Sequence, residues 1–545
     1  VGNDNRRILI ATVASVAILI IWQFFFPPPR PGPKPAPAAI AAQAPVTPPP
    51  APAAAGAAPV AAPAVPEGPE TLVRLAGDEF AVVLSSHGGV LAHLELKSPK
   101  FQREVEGKMV PIDLVHVAAG QPLPLATAAS PELGGTSDPQ LDPTTRSAMQ
   151  IVAQDERSVT FEGRVGAAGI RKSYRLTGKP FELAVEIAVT GAPAAGTVSV
   201  LYTGFMPPST SSGGMFSGPP LDFLRPACRA DDKTERFKVD GDDATMKVPG
   251  TTGWAGIDQH YFTAALFPQP HPGYACLFMK GGEKGSAAVA VQVPVSPAGT
   301  TAAFLLFAGP KQLDLLKGYQ RGFETAIDYG AVANFFAFFA QILLRVMRWF
   351  HGFVQSWGVA IILLTLTVKA VLYPLTLKSM QSMAGMRKLQ PEIEKLKAKF
   401  GDDREGFARA QMALFQQHKV SMTGGCLPML LQMPVWFALY AALQTSVELY
   451  RESFLWMPDL TLKDPWFILP VAMGITSFIM QKLSPQPADN SQAKMMLYFF
   501  PGFFTVMMLF VPSGLTLYIF VNNLLSILQQ QMVNKVVLKG APTKS

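Results

Sequence analysis

Between Trp357 and Pro374 the chain reads WGVAIILLTLTVKAVLYP, an apolar run long enough to cross a bilayer that carries one cation, Lys369. A charge at the centre of a spanning helix costs about 2.5–3.5 kcal/mol on insertion scales, so it is rare and calls for a partner or a function. Thr365 and Tyr373 lie one turn before and one turn after Lys369, on the same helical face. The spacing predicts a helix that shows lipid an aliphatic surface and something else a Thr–Lys–Tyr stripe. At 1.5 Å per residue Lys369 stands about 13 Å from Lys378, so snorkelling toward that end competes with a place in a hydrated cavity. Either way the ammonium draws water from one side, and a cavity around it should open there and close on the other.

Composition bears out the membrane reading. Apolar residues make up 49% of the 545 and charged residues only 16%, too apolar for an ordinary soluble enzyme. They cluster in an N-terminal segment and after residue 330. The net charge of +7 comes from basic residues beside apolar spans, which are topology signals and lipid contacts rather than a nucleic-acid footprint. The three cysteines, Cys228, Cys276 and Cys426, form no metal framework. Cys228 and Cys276 share one domain and can pair if it is extracytoplasmic, though free thiols are the expectation.

In order, residues 1–26 hold Asn5-Arg6-Arg7 and then the run Ile8 to Phe26, which predicts an uncleaved anchor with a cytoplasmic N-terminus. A signal peptide is the rival reading. Residues 27–69, almost wholly Pro and Ala, predict a disordered, semi-rigid spacer. Over 70–312 the pattern changes to period two: runs from Phe80, Val159, Ile170 and Phe181 read as strands separated by Gly88-Gly89, Gly178-Lys-Pro180 and Gly281-Gly282. That predicts a large antiparallel β-sandwich, with Ser209 to Gly218 and Pro226 to Gly241 as surface loops. His87, His93 and His116 are isolated, and neither a phosphate loop nor a nucleophile turn occurs. The domain reads as a binding or scaffolding module, and no cofactor or metal is expected.

Residues 313–352 form a hinge with an amphipathic helix in the interface plane, Phe335, Phe336, Phe338, Phe339, Ile342, Leu343, Val346 and Trp349 on one face and Gln341, Arg345 and Arg348 on the other. A spanning helix at 353–377 precedes a polar helical hairpin at 378–423, broken at Gly401-Asp402-Asp403. Its stripes, Met386, Leu389, Ile393 and Leu396 on one arm and Phe407, Met412 and Phe415 on the other, predict packing on a partner, lipid or each other. Further spans are expected at 424–446, 466–482, 495–510 and 514–534, with an outer loop at 447–465, an inner one at 483–494 and a cytoplasmic tail at 535–545. Six spans then return the C-terminus to the cytoplasm.

Polar residues in these spans step along single faces: Tyr518, Asn522, Ser526 and Gln529/Gln530 in the last, Gln432, Tyr440 and Gln444 in the third. Any one of them alone would be interhelical glue worth about 0.6–2 kcal/mol. As a set around a buried cation they predict a shared hydrated cavity. The remaining faces are rich in Met and Phe, which pack cores and also suit varied apolar partners.

Lys388-Leu-Gln-Pro391, Gly424-Gly-Cys-Leu-Pro428, Gln432-Met-Pro434 and Pro512-Ser-Gly-Leu515, in this order, resemble the motifs of the YidC membrane protein insertases. Gly253-Trp254 and Gln259-His-Tyr-Phe262 are similar to a marker of that family's β domain. The resemblance implies an integral membrane α-helical bundle, an N-terminal anchor plus a five-helix core, with a periplasmic β-supersandwich domain of the mutarotase kind. It implies a chaperone and insertase of inner-membrane proteins, not an enzyme, working alone or beside the Sec translocon. Its implied partners are nascent membrane proteins, the ribosome or signal-recognition receptor, and lipids; a monomer without nucleic-acid specificity is expected. The implied groove comprises Lys369, Thr365, Tyr373, Gln432, Tyr518 and Asn522. The implied slide on the third and fifth spans comprises Met433, Phe437, Phe500, Phe503, Phe504 and Met507. Three departures stand out: the groove cation is Lys where the family usually has Arg, Ile519 replaces a second Tyr, and the basic tail is short. Two other functions compete with this one: a transporter or anion channel with Lys369 as counter-charge, and a sugar-acting periplasmic enzyme, for which no carboxylate or histidine constellation is evident.

Overall fold

The computed structural model describes residues 69–105, 108–117, 120–204, 224–237, 244–270, 273–281, 287–319, 321–327, 337–401, 403–418, 427–483 and 495–539. The expected anchor, nearly all of the spacer, the loop Ser209 to Gly218 and Cys426 with its Gly-Gly neighbours lie outside the described residues.

The period-two segments form β1 (Leu72–Ala76), β2 (Phe80–Ser85), β3 (Val90–Leu96), β4 (Gln102–Val105), β5 (Lys108–Pro111), β6 (Thr127–Ala129), β7 (Gln150–Gln154), β8 (Ser158–Val165), β9 (Ala168–Leu176) and β10 (Glu182–Thr190). They continue as β11 (Gly196–Thr203), β12 (Arg225–Ala230), β13 (Lys233–Arg236), β14 (Thr245–Val248), β15 (Thr252–Asp258), β16 (Phe262–Gln269), β17 (Ala275–Lys280), β18 (Ala287–Val295) and β19 (Thr300–Pro310).

A nine-stranded sheet, ordered β13-β12-β15-β16-β19-β10-β9-β8-β7, and a five-stranded sheet, β14-β17-β18-β11-β6, make the sandwich. Alternation explains the faces. On β10, Leu183, Val185, Ile187 and Val189 are buried, and register sets Val185 between Tyr174 of β9 and Phe304 of β19. One core runs between the sheets through Trp254, Phe278, Val291 and Phe304, and takes in Leu84, Leu91 and Leu94 from the three-stranded sheet β1-β2-β3. The expectation of a surface loop from Pro226 to Gly241 is corrected over Pro226 to Arg236, and its residues 238–241 lie outside the described residues. β12 and β13 pair as a hairpin there, and Ala227 and Cys228 are buried. The proline near the start of β12 masks the pattern, yet the edge hairpin tolerates it.

The helical region comprises α1 (Leu313–Gly318), α2 (Ala337–Val354), α3 (Trp357–Phe400), α4 (Arg404–Gln417), α5 (Leu427–Thr445), α6 (Ile468–Leu483), α7 (Phe500–Met508) and α8 (Ser513–Lys539). A π-helical turn, Met495–Phe499, leads into α7. The apolar run around Lys369 and the first arm of the hairpin are one helix, α3, which continues through Pro374 and Pro391. The arms meet through Leu389, Ile393 and Phe415, so their apolar stripes pack largely on each other. On α2 the inward face is Ala340, Leu344 and Met347, while Phe338, Phe339, Trp349 and Phe353 are exposed. The helix is therefore apolar on two sides, which the aromatic spacing alone does not separate.

Among the described residues, one helical segment is long and apolar enough to cross a membrane, the 21 residues Trp357–Leu377. Gln432–Leu443, Ile468–Leu483 and Leu497–Met508 are shorter apolar helices. α8 is 27 residues long, but its Asn and Gln side chains lower its apolar character. α6 and α7 approach closely at Gly474, where a Cβ would stand 2.0 Å from Thr505 Oγ1, the close backbone approach that small residues permit between membrane helices.

The β domain is seated on the segment after α5. Lys100 Nζ donates to the Glu448 carbonyl at 2.6 Å and to Glu452 Oε1 at 2.7 Å. The Tyr450 ring lies 5.1 Å from that of Tyr261 and 5.9 Å from that of Phe262. Arg348 on α2 bridges Asp314 at 2.8 Å and Glu448 at 3.0 Å.

Candidate functional site

α3 and α8 both start at the β-domain end and pack along each other. Near that end the helices are dry. Trp357, Ala360, Ile361 and Leu364 of α3 join Ala438, Leu439 and Ala442 of α5, Leu515, Leu517 and Tyr518 of α8, and Leu460 of the loop in one buried apolar cluster. Backbone bonds seal it: Ser513 N–H donates to the Leu462 carbonyl at 2.7 Å and Gly514 N–H to the Leu460 carbonyl at 2.9 Å. The Pro-Ser-Gly-Leu motif thus sits at a close approach, since a Cβ on Gly514 would stand 3.1 Å from the Leu460 oxygen.

The polar residues begin where this cluster ends. Five residues beyond Leu364, Lys369 Nζ donates to Ser526 Oγ at 2.8 Å. The Ser526 hydroxyl donates in turn to the Asn522 carbonyl at 2.7 Å. Asn522 Oδ1 and Gln529 Oε1 are buried atoms without a hydrogen-bond partner. Tyr518 marks the boundary: its ring belongs to the dry cluster, and its hydroxyl accepts from Gln432 Nε2 on α5. Two polar links therefore lie beside the dry cluster, Lys369 with Ser526 between α3 and α8, and Gln432 with Tyr518 between α5 and α8.

Not every residue expected to share this site does so in the same way. Thr365 is fully buried and its hydroxyl donates to the Ile361 carbonyl of its own helix at 2.7 Å. Tyr373 is exposed. The α8 stripe divides: Asn522, Ser526 and Gln529 lie with Lys369 or stay unpaired, while Asn523 donates to Ser477 Oγ at 2.8 Å and Gln530 to the Leu483 carbonyl at 2.9 Å. The last two are interhelical glue to α6. Ser526, which the sequence placed in the stripe but not among the groove residues, is the direct partner of the cation. Its signal was its place one turn after Asn522.

Of the expected slide residues, Met433, Phe500 and Phe504 are exposed and Phe437, Phe503 and Met507 half-buried. Phe503 stacks on Phe499 with centroids 5.9 Å apart. α5 packs against α2, α3 and α8, and α7 against α6, so the two sets of apolar side chains stand on different parts of the helical region.

A family model described as the 60Kd inner membrane protein matches residues 349–540, and one described as the YidC periplasmic domain matches residues 72–346. The membrane protein insertase YidC of Anaeromyxobacter dehalogenans strain 2CP-C is 62% identical over 99% of this chain and 99% of its own. That of Geobacter metallireducens is 33% identical over 98% of this chain and 99% of its own. The chain belongs to the YidC membrane protein insertase family. It is an inner-membrane protein with a periplasmic β-sandwich domain and a helical C-terminal region. The crystal structure of YidC from Thermotoga maritima, aligned over 84% of this chain and 98% of that one, is 14% identical with a TM-score of 0.32, too loose a likeness to carry weight. Within the YidC frame, the dry cluster faces the periplasmic domain and Lys369 lies on its far side.

Proposed function

We propose that this chain inserts and folds membrane proteins, receiving their polar tails in a one-sided groove between α3, α5 and α8. The observation that supports this reading most is the place of Lys369, held by Ser526 just beyond a dry apolar cluster. Water around Lys369, Asn522, Gln529 and Gln432 shortens the hydrocarbon path, otherwise about 30 Å, that a polar tail must cross. The lysine attracts carboxylates as a point charge, without the bidentate fork of an arginine. The neighbouring apolar segment of the substrate lies along Met433, Phe437, Phe500, Phe503, Phe504 and Met507, and hydrophobic partitioning carries it into lipid. No covalent step is involved. The groove opens to the cytoplasm, six spans put both termini there, and the α3–α4 hairpin meets the ribosome or targeting receptor. The chain acts alone or beside the Sec translocon.

The test is rescue of a host depleted of its own insertase. Lys369→Arg should support insertion, while Lys369→Glu should lower it about tenfold or more, a difference of about 1.4 kcal/mol. Equal rescue by both would leave Lys369 a snorkelling residue. Photo-crosslinkers at Gln432 and Asn522, which are less enclosed than Thr365 and Tyr518, should capture short nascent membrane proteins; well-expressed protein without adducts would overturn the groove.

A further inference from the structure

Cys228 lies on β12 of the nine-stranded sheet and Cys276 on β17 of the five-stranded sheet. Both are completely buried in the common core. Both are free thiols in the structure, their strands approach to Cα separations of 8 Å or less, and Cys228 is near enough to raise the Cys276 thiol. A second contact joins the sheets nearby, Phe237 to Phe278, with ring centroids 5.7 Å apart. Register sets Ala255 and the exposed Glu235 opposite Cys228, and Val248 and Val291 opposite Cys276. No acidic or basic side chain stands across from Cys276 to give it a metal-binding or catalytic role.

We infer that Cys228 and Cys276 are joined in the periplasm as a disulfide that pins the two sheets of the β domain together. The compartment is kept oxidising by dedicated thiol oxidants, and thiols that meet there are rarely left reduced. The step balances as two exchanges. One cysteine thiolate attacks the disulfide of a periplasmic thiol oxidant, forming a mixed disulfide and releasing one oxidant thiol. The second cysteine thiolate then displaces the other oxidant sulfur, leaving the Cys228–Cys276 bond and a dithiol that carries away two electrons and two protons. Burial pushes the Cys276 thiol well above its ordinary value, so the closed domain offers little thiolate to an oxidant. Oxidation therefore belongs to the period before the sheets close, as the domain leaves the membrane.

Full-length protein in membranes, acid-quenched, denatured and treated with a mass-adding maleimide, reports the state directly. With three cysteines in the chain, one tag is expected before reduction, on Cys426, and three after it. Cys228→Ala and Cys276→Ala should each show two tags before reduction, and peptide mapping of the unreduced protein should recover the 228–276 linked pair. Three tags on the unreduced wild type, or one tag on either single variant, would overturn the proposal. As a second measure, dithiothreitol should lower the melting temperature of the wild type in detergent and leave that of the Cys228→Ala/Cys276→Ala variant unmoved; an equal response in both would also overturn it.

Discussion

Lys172 is fully buried on β9, and its ammonium reaches the Gly88 carbonyl at 2.6 Å and the Leu125 carbonyl at 2.9 Å. It fastens the β2–β3 turn and the turn just before β6 onto the large sheet, in an alternating position where a hydrophobic residue would be expected. Burial lowers it from 10.5 to about 7. Between those values the unfolded chain holds a proton that the folded chain has released, so stability rises with pH through that window and is flat below about 7. Melting of wild type minus Lys172→Met, followed by tryptophan fluorescence from pH 6 to pH 9, should show the wild type gaining on the variant as pH rises. The pair Lys311 and Asp258, 2.6 Å apart with both side chains almost wholly enclosed, behaves differently. Lys311→Met breaks this buried pair and should destabilise the domain by about 3 kcal/mol or more. Adding Asp258→Asn should restore part of that loss in the same unfolding assay, because the desolvated carboxylate of the broken pair is then gone.

At the scale of elements, α6 begins without a capping residue at its first position, and Asp464 supplies the function from upstream. Its carboxylate accepts from Leu469 N–H at 2.7 Å, Trp466 N–H at 3.1 Å and Trp456 Nε1 at 3.0 Å. Asp464→Ala should cost about 1 kcal/mol of local stability, in the usual range for a lost helix cap. Hydrogen exchange at the Trp466 and Leu469 amides should speed up accordingly, and Asp464→Asn, with one acceptor oxygen in place of two, should preserve protection at only one of these amides. α8 carries a different lesson. Its polar residues read as one stripe in sequence, but α3 and α6 pack on two of its sides. The stripe is thereby divided into a side that meets Lys369 of α3 and a side bonded to α6.

For the whole molecule, the contact between the β domain and the segment after α5 joins two regions far apart in sequence. Lys100 with Glu448 and Glu452, and Tyr450 among Phe101, Tyr261 and Phe262, hold the domain over the dry end of the helices. A double variant, Lys100→Glu with Tyr450→Ala, should release this contact while leaving both regions folded. Spin labels on β8 and α3 should then give a broadened distance distribution compared with the wild type; an unchanged distribution would show that other contacts suffice.

Much was legible before any tertiary contact was known. Period two marked the runs at Val159, Ile170 and Phe181 as strands, because alternate side chains of a half-buried strand must be apolar, whereas the Phe80 run is buried at every position. One lysine in an aliphatic run marked α3, because hydrocarbon penalises charge whatever the fold. The motifs around Lys388, Gln432 and Pro512 pointed to the family. What the sequence could not decide was partnership. That Thr365 turns to its own backbone, that Ser526 holds Lys369, that Asn523 and Gln530 serve α6, and that Cys228 faces Cys276 all depend on which helix or sheet lies alongside. Local patterns encode which face of an element avoids water. They do not encode what meets it there, because that is set by contacts between residues tens to hundreds of positions apart.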